Sequence, residues 1–394
     1  MSDFLRTNAI VFACSATSIL AQTTHLVGPG GLPQIRDALA IAAPGDVVLV
    51  QPGTYAQFHA TVGVTIRAAV PGTVVVDLDL TVVPPTCVGF CLVEESLTRF
   101  LPPPGQTVHC EGLAFASTLQ FSFAVHHVVV SGGAVTFAHC TLGSNFAPAL
   151  IVDQARVHLQ DCTLVCLGTG NGWPPLSAYS STISAVRCSF TASQTTLSAP
   201  GAAVWLRGAT LQGSQLQLQG GLLGFGGVGG AALDLDATSS AWISDSQLTG
   251  GATTCPVVNN GGTGRIDRSV LLPGFASCTS LPTALVLGID SATPPQTGAP
   301  FVVDFRTAPN QLVGIYASSN LGNGSLPGLA DQPVGIDAAN AWFAGMVTAD
   351  SNGFASAAWT LPSGPFVGLP LFVLGVGLAP LRLELSPPVG GVVR

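Results

Sequence analysis

The sequence contains no lysine, so all 12 of its basic residues are arginines. Charged residues make up only 8% of the 394 residues, whereas hydrophobic residues make up 47%. Disorder is not expected, because disordered chains combine low hydrophobicity with high net charge. The arginines are dispersed and the net charge is −8. The sequence therefore lacks the basic patch that nucleic-acid-binding proteins use.

Apolar runs long enough to span a membrane as a helix are also missing. The most apolar late segment, residues 368–381, is too short and contains two prolines. The N-terminal segment instead predicts a secretory signal, because Arg6 precedes an apolar run that ends in small residues at Ala21. We therefore expect residues 1–21 to be a signal peptide, and the mature protein to be secreted or on the cell surface.

A short phrase returns several times along the first two thirds of the chain. It reads apolar, any, any, Cys, Thr or Ser, large apolar in FAHCTL (137–142), LQDCTL (159–164) and AVRCSF (185–190). Related phrases give anchor positions at Leu113, Cys140, Cys162, Cys188, Ser214, Ser246 and Ser269, which follow one another at intervals of 22 to 32 residues. Such a period is typical of solenoids. A second short alternating strand precedes most phrases, so we predict a parallel β-helix whose coils stack about 4.8 Å apart.

This stacking gives the cysteines of the phrase a structural explanation. Cys140, Cys162 and Cys188 are predicted to fill one inward slot on successive coils as reduced thiols, with Ser214, Ser246 and Ser269 continuing the slot. The disulfide candidates lie elsewhere: Cys87 with Cys91, and Cys255 with Cys278. Three histidines on coil faces, His109, His139 and His158, have no metal-binding spacing and are interpreted as surface residues.

The segment QIRDALAIAAPGDVVLVQPGTY (34–55) predicts a short helix that covers the open end of the solenoid, with Ile35, Ala38 and Leu39 on one face. This segment resembles the opening of pectin-lyase-like right-handed parallel β-helix proteins. Together with the repeat, the resemblance covers about residues 26–280. The family contains polysaccharide lyases and hydrolases as well as adhesins and surface proteins without known chemistry, so it does not decide the function.

The last part of the chain has a different pattern. Short apolar alternations such as FVVDF (301–305), WFAGMV (342–347) and LFVLGV (371–376) predict an antiparallel β-sandwich, and ADSNGF (349–354) predicts a hairpin turn. The expected organisation is a right-handed parallel β-helix over residues 22–282 and a β-sandwich over 283–394, with the linker between Thr283 and Pro300.

Outward strand positions collect several charged and aromatic residues of this charge-poor chain. If Val130, Val152, Ala178, Leu206, Leu235 and Val258 point inward, one outward column reads Ser131, Asp153, Tyr179, Arg207, Asp236 and Asn259, and its neighbour contains Ser177, Trp205 and Asp234. Tyr179 and Trp205 are suited to stack on sugars, with Asp153 and Asn259 as further substrate-binding residues. Asp234 and Asp236, about 7 Å apart, could serve as acid and base of an inverting glycosidase beside Arg207, or as calcium ligands. The structural alternative is a solvated ion pair on a plain face.

The signatures of the resembled family count against catalysis. Its polygalacturonase-like members carry Asn-Thr-Asp, Asp-Asp, Gly-His-Gly and Arg-Ile-Lys stretches, none of which occurs here. Its pectate lyases use calcium carboxylates with a basic residue, and only Arg207 comes near that role. We therefore predict a non-catalytic surface, adhesive or glycan-binding protein with polysaccharide as partner and no cofactor, calcium being the alternative. The competing hypothesis is a polysaccharide lyase or glycoside hydrolase acting at the Asp153, Arg207, Asp234 and Asp236 face.

Overall fold

The chain folds into a parallel β-helix followed by an antiparallel β module, as seen in a computed structural model. The structure describes residues 22–77, 97–116, 128–145, 147–167, 172–193, 200–222, 229–251, 254–272, 281–282, 284–291, 293–324, 326, 329–362, 367–379 and 382–394. The predicted signal peptide and Cys87, Cys91 and Cys278 lie outside these residues.

The β-helix elements, in chain order, are β1 Thr24–Val27, α1 Ile35–Leu39, β2 Val47–Val50, β3 Gly53–Ala56, β4 His59–Ala60, β5 Thr65–Ala68, β6 Val74–Asp77, β7 Thr98–Phe100, β8 Thr107–Glu111, β9 Leu113–Phe115, β10 Val128–Ser131, β11 Ala134–Ala138, β12 Thr141–Ser144, β13 Leu150–Asp153, β14 Arg156–Gln160, β15 Thr163–Cys166, β16 Leu176–Tyr179, β17 Thr182–Val186, β18 Ser189–Thr191, β19 Val204–Arg207, β20 Thr210–Ser214, β21 Gln217–Gln219, β22 Leu233–Leu235, β23 Ser240–Ser244, β24 Gln247–Thr249, β25 Val257–Asn259, β26 Thr263–Asp267 and β27 Val270–Leu272. The module elements are β28 Gly288–Asp290, β29 Pro300–Arg306, β30 Leu312–Ser318, β31 Leu321–Gly324, β32 Val334–Ile336, β33 Trp342–Thr348, β34 Phe354–Thr360, β35 Pro370–Ala379, β36 Arg382–Leu385 and β37 Val389–Val392.

Three parallel sheets run the length of the β-helix. Sheet A contains ten strands in the order β1-β2-β5-β8-β11-β14-β17-β20-β23-β26. Sheet B contains nine, from β3 to β27, and sheet C contains eight, from β4 to β25. Successive coils add one strand to each sheet, and each strand pairs in parallel with the strands one coil above and below. This arrangement confirms the parallel β-helix predicted from the repeat.

The corner between sheets A and B explains the repeated phrase. In six successive coils, from that of His139 to that of Arg268, one non-glycine residue has a positive φ there, for example His139, Asp161 and Arg187 at 51° to 53°. Such a conformation is uncommon for residues other than glycine, and it turns the chain within one residue. The next residue then points inward, so Cys140, Cys162 and Cys188 are buried as free thiols in one slot, as predicted.

The prediction that Ser214 continues this slot was wrong. The residue with positive φ in that coil is Gln215, and Leu216 occupies the inward slot. Ser214 instead pairs with Val186 and Ser244 at the end of sheet A, on its outward side. The sequence LQGSQL (211–216) can be aligned with the repeated phrase in two ways. In the structure the apolar side chain of Leu216, and not the hydroxyl of Ser214, occupies the inward slot. Ser246 and Ser269 do follow the turn residues Asp245 and Arg268.

Helix α1 covers the first coil, as the sequence predicted. Ile35, Ala38 and Leu39 are buried against the solenoid core. The Asp37 carboxylate accepts a hydrogen bond from the Gln34 backbone amide at 3.1 Å, which satisfies a donor at the helix start.

The C-terminal module is a sandwich of two antiparallel sheets, which confirms the prediction. Sheet D has the order β28-β29-β34, sheet E has the order β33-β30-β35-β36 with β37 beside β35, and β31 pairs with β32. Sheets D and E share a core that includes Phe301, Val303, Phe305, Val313, Ile315 and Val373. The segment 349–354 is not a hairpin, because β33 belongs to sheet E and β34 to sheet D. Asp350 accepts backbone hydrogen bonds from Asn352 and Phe354 there, and Gly353 takes a φ of +80°.

The module lies along sheet A. Gln212 donates to the Pro333 carbonyl at 2.8 Å, Gly390 donates its amide to Gln160 at 3.1 Å, and Arg265 forms a 3.0 Å ion pair with Glu384. His109 and His158, interpreted from sequence as surface residues, are therefore buried under the module. The predicted linker also contains strand β28, which pairs with β29.

Candidate functional site

The structure places most of the predicted site residues on the outward face of sheet C. Asp153 pairs with Tyr179, and Tyr179 pairs with Arg207, on successive coils. In the adjacent column, Ser177 pairs with Trp205, and Trp205 pairs with Asp234. We call this face the sheet C strip, made of Ile151, Asp153, Ser177, Tyr179, Trp205, Arg207, Asp234 and Asp236.

Asn259 does not belong to the strip. It pairs with Leu235, so it occupies the column expected for the inward Val258, and Val258 pairs with Asp234. A register difference of one residue moves every side chain of a strand to the other face. The position expected for Asn259 falls instead to Asn260, whose side-chain amide lies 3.5 Å from the Asp234 carboxylate. The sequence offered Asn260, directly after Asn259, as the alternative asparagine for this position.

Arg207 is fixed by three contacts. Its guanidinium donates to both oxygens of Asp234, at 3.2 and 3.3 Å, and to the Leu206 carbonyl at 2.7 Å. Its central carbon lies 4.5 Å from the centre of the Trp205 ring, a cation–π geometry. The sequence predicted that Arg207 would lie beside Asp236, whereas its bidentate ion pair is made diagonally with Asp234.

The two carboxylates have opposite electrostatic environments. Burial raises the pKa of Asp234, and Asp236 adds to this, while Arg207 opposes it. Burial also acts to raise the pKa of Asp236, but hydrogen bonds from Ser239, Gly208 and Thr238 outweigh it and lower the value to about 2. One oxygen of Asp236 accepts all of these bonds, at 2.7 to 3.2 Å. Asp236 therefore orders the turn that leaves sheet C.

The aromatic and polar groups of the strip differ in accessibility. Tyr179 is 38% exposed, whereas Trp205 is half-buried and Ser177 is buried. The indole nitrogen of Trp205 and the hydroxyl of Ser177 are buried without a hydrogen-bond partner. Unpaired buried donors are rare in native proteins and cost about 1–3 kcal/mol each.

A second polar feature, at the corner of sheets A and B, was missed from the sequence. Four charged residues, Asp161, Arg187, Asp245 and Arg268, line an open groove of about 680 Å³. Arg187 binds Asp161 at 2.6 and 2.7 Å and also pairs with Asp290 of the module. Arg268 binds Asp245 at 2.8 Å and donates to the Val286 carbonyl at 2.9 Å. These arginines connect the module to the β-helix. In the sequence, the groove could have been recognised from the charged residue that directly precedes the slot residue in several coils.

Two further observations bear on partners and cofactors. Across the described ranges, no group of three or more His, Cys, Asp or Glu side chains could hold a metal ion. No helix within those ranges is both long and apolar enough to cross a bilayer. Cys255 is disulfide-bonded, but Cys278 is outside the described residues, so their pairing stays a prediction.

Comparison with known proteins gives a distant structural similarity. No family model matches the chain, and no curated protein matches it. A solved structure described as "a new PL6 alginate lyase complex with trisaccharide" is similar at 11% sequence identity and a TM-score of 0.25. The match covers 65% of this chain and 62% of the other, less than two thirds of that structure. A match this weak says nothing about ligand or activity, and the β-helix is established by its own strand pairing.

Proposed function

We propose that the protein is an extracellular surface or adhesive protein that binds a glycan chain along the sheet C strip without cleaving it. The observation that carries the proposal is the grouping of Tyr179, Trp205 and the Arg207–Asp234 pair on three successive coils. Sugars bind aromatic faces through their C–H groups, and planar charged side chains can hydrogen-bond their hydroxyl groups. The resemblance of the N-terminal segment to pectin-lyase-like proteins is compatible with this function but does not decide it.

The dimensions of the strip suit an extended polymer. Asp153 and Asp236 are separated by three coil spacings, which is about 14 Å. The unpaired donors of Ser177 and Trp205 lie between them. These two groups could donate hydrogen bonds to ligand oxygens if the side chains that cover them move on binding. A ligand of several sugar units would therefore contact several coils at once.

The carboxylates are poorly suited to acid–base catalysis. A general base works best when its pKa lies near the operating pH, and hydrogen bonds lower the pKa of Asp236 to about 2. Burial raises the pKa of Asp234, the candidate acid, but both of its oxygens are occupied by the bidentate contact with Arg207. The alternative, a lyase or glycoside hydrolase at the same face, requires these groups to be released on substrate binding.

A binding assay with matched variants tests the proposal. Trp205→Ala and Tyr179→Ala should each weaken glycan binding by about tenfold or more, because each removes a stacking surface. Tyr316→Ala is the matched control, since Tyr316 on the module is 37% exposed against 38% for Tyr179. Equal binding by all three variants would contradict the assignment of the strip. New reducing ends or unsaturated products in the same samples would establish the enzyme alternative instead.

A further inference from the structure

The charges of the sheet C strip are unbalanced. It carries three carboxylates, those of Asp153, Asp234 and Asp236, and Arg207 is the one basic residue among its positions. The guanidinium of Arg207 is matched by Asp234 through two hydrogen bonds. This leaves Asp153 and Asp236 uncompensated within the strip.

These two carboxylates lie at opposite ends of the strip, three coil spacings apart. Asp236 accepts four hydrogen bonds on one oxygen, and these favour its ionised form. Asp153 has Ser131 and Tyr179 as its neighbours along the column, so no basic side chain adjoins it there. A ligand lying along the strip would meet negative charge at both ends of the aromatic segment.

Recognition of a carboxylated sugar requires a basic side chain that is free to bind the sugar carboxylate. Arginine binds carboxylates through its planar fork of donors, and the fork of Arg207 is occupied by Asp234 and the Leu206 carbonyl. A uronate in the strip would have to displace Asp234, which would leave a half-buried carboxylate without its partner.

Resting on the proposed glycan function, we propose that the strip selects an uncharged or amino-bearing glycan and rejects polyuronates. Hydroxyl groups can accept from or donate to the Arg207–Asp234 pair without separating it. Amino groups gain from Asp153 and Asp236, whereas a uronate at each ring is repelled by both.

An oligosaccharide array at neutral pH and low salt tests this inference. Its chains have equal length and consist of neutral hexoses, N-acetylglucosamine, glucosamine, galacturonate, mannuronate or guluronate. Neutral or amino-bearing chains should bind, and each uronate chain should bind at least about tenfold more weakly than the best of them. Asp153→Asn should improve uronate binding about threefold relative to the neutral ligand. Asp350→Asn is the matched control, because it removes one charge from an exposed turn of the module while Asn can still accept that turn's hydrogen bonds.

The outcomes separate the two proposals. Binding of a uronate chain as strong as that of neutral chains, unaffected by Trp205→Ala, overturns both. Equally strong uronate binding that Trp205→Ala removes overturns the charge selection and leaves glycan binding at the strip standing. Failure of every chain to bind overturns the glycan function, and the inference fails with it. An equal effect of Asp153→Asn and Asp350→Asn would attribute the selection to overall charge and contradict the strip.

Discussion

The ring of Phe372, from the C-terminal module, is stacked on the imidazole of His109 in sheet A, with centroids 6.2 Å apart and planes 23° from parallel. His158, two coils further along sheet A, meets the same ring edge-on at 5.7 Å. One aromatic side chain of the module therefore packs against two buried histidines of the β-helix. Each histidine shares a hydrogen bond with the next coil, His109 with Thr136 at 2.8 Å and His158 with Ser184 at 2.9 Å.

This contact predicts that acid destabilises the folded protein. Burial, helped by the nearness of His158, lowers the pKa of His109 from 6.5 to about 4. Burial also lowers the pKa of His158 to about 4, although the hydrogen bond with Gln160 opposes it. Between these values the unfolded chain binds more protons than the folded chain, so the free energy of unfolding should fall as the pH decreases from about 6.5 to 4. The loss is at most about 3 kcal/mol per histidine.

Urea unfolding at neutral and mildly acidic pH measures this effect. Charged groups also flank the histidines: Glu111 and Arg394 are ion-paired near His109, and Asp161 and Arg187 lie near His158. The raised pKa values of Asp234 and Glu384 act in the opposite direction. The His109→Gln, His158→Gln double variant isolates the histidines, because Gln212 shows that glutamine is accepted in the same column. An unchanged pH slope in this variant would refute the explanation.

Removal of the Phe372 ring tests the docking contact without changing charge. Phe372 is fully buried, so Phe372→Ala should lower the free energy of unfolding by about 3–5 kcal/mol. Phe343→Ala, at a half-exposed position of the same sheet, should cost far less. Thermal or urea unfolding gives both numbers, and similar losses for the two variants would mean that Phe372 does not anchor the module.

The repeat was predictable because most coils use the same short sequence, a one-residue turn followed by an inward residue, at the corner of sheets A and B. Cys140, Cys162 and Cys188 each follow a one-residue turn, and their spacing is visible in the letters. The docking of the module was not predictable in this way. The outward column of sheet A reads His109, Thr136, His158, Ser184 and Gln212, which is polar enough to suggest a solvent face. Its coverage depends on contacts with residues more than a hundred positions away, such as Phe372 and Pro333.

The sequence predicted which residues share the outward face of sheet C, but it did not predict which of them form ion pairs. Parallel register follows from repeat length, so Tyr179, Arg207, Trp205 and Asp234 were placed on one face. The choice of Arg207 between Asp234 and Asp236 depends on hydrogen bonds that Asp236 already accepts, from Thr238 and Ser239 in the turn after β22 and from Gly208 in the turn after β19. Those turn contacts have no periodicity that a sequence pattern could reveal.

Asp236 should therefore behave as a turn residue in mutagenesis. Asp236→Ala removes the acceptor of two backbone amides and two hydroxyl groups, and we expect a loss of about 1–2 kcal/mol in the free energy of unfolding. Asp236→Asn keeps an acceptor oxygen and should cost less than half as much. Urea unfolding distinguishes them, and equal losses from the two variants would mean that charge rather than hydrogen bonding matters.

The coil that departs from the repeat gives the sharpest test of the interior packing. In several coils a larger residue of sheet A lies beside a small slot residue, as with Leu159 and Cys162 or Ile243 and Ser246. The coil of Gly213 reverses this order, because Leu216 fills the slot and a Cβ on Gly213 would overlap the Leu216 side chain. Gly213→Ile should therefore overpack the core and cost about 1–3 kcal/mol.

Leu216→Ser alone should leave a cavity and cost about 2–5 kcal/mol. The double variant G213I/L216S restores the combination found at Ile243 and Ser246, so its loss should be smaller than the sum of the two single losses by at least about 1 kcal/mol. Urea unfolding of the four proteins measures this coupling. Strictly additive losses would show that the two side chains do not share one space, and the corrected alignment of the slot, with Leu216 in place of Ser214, would then be wrong.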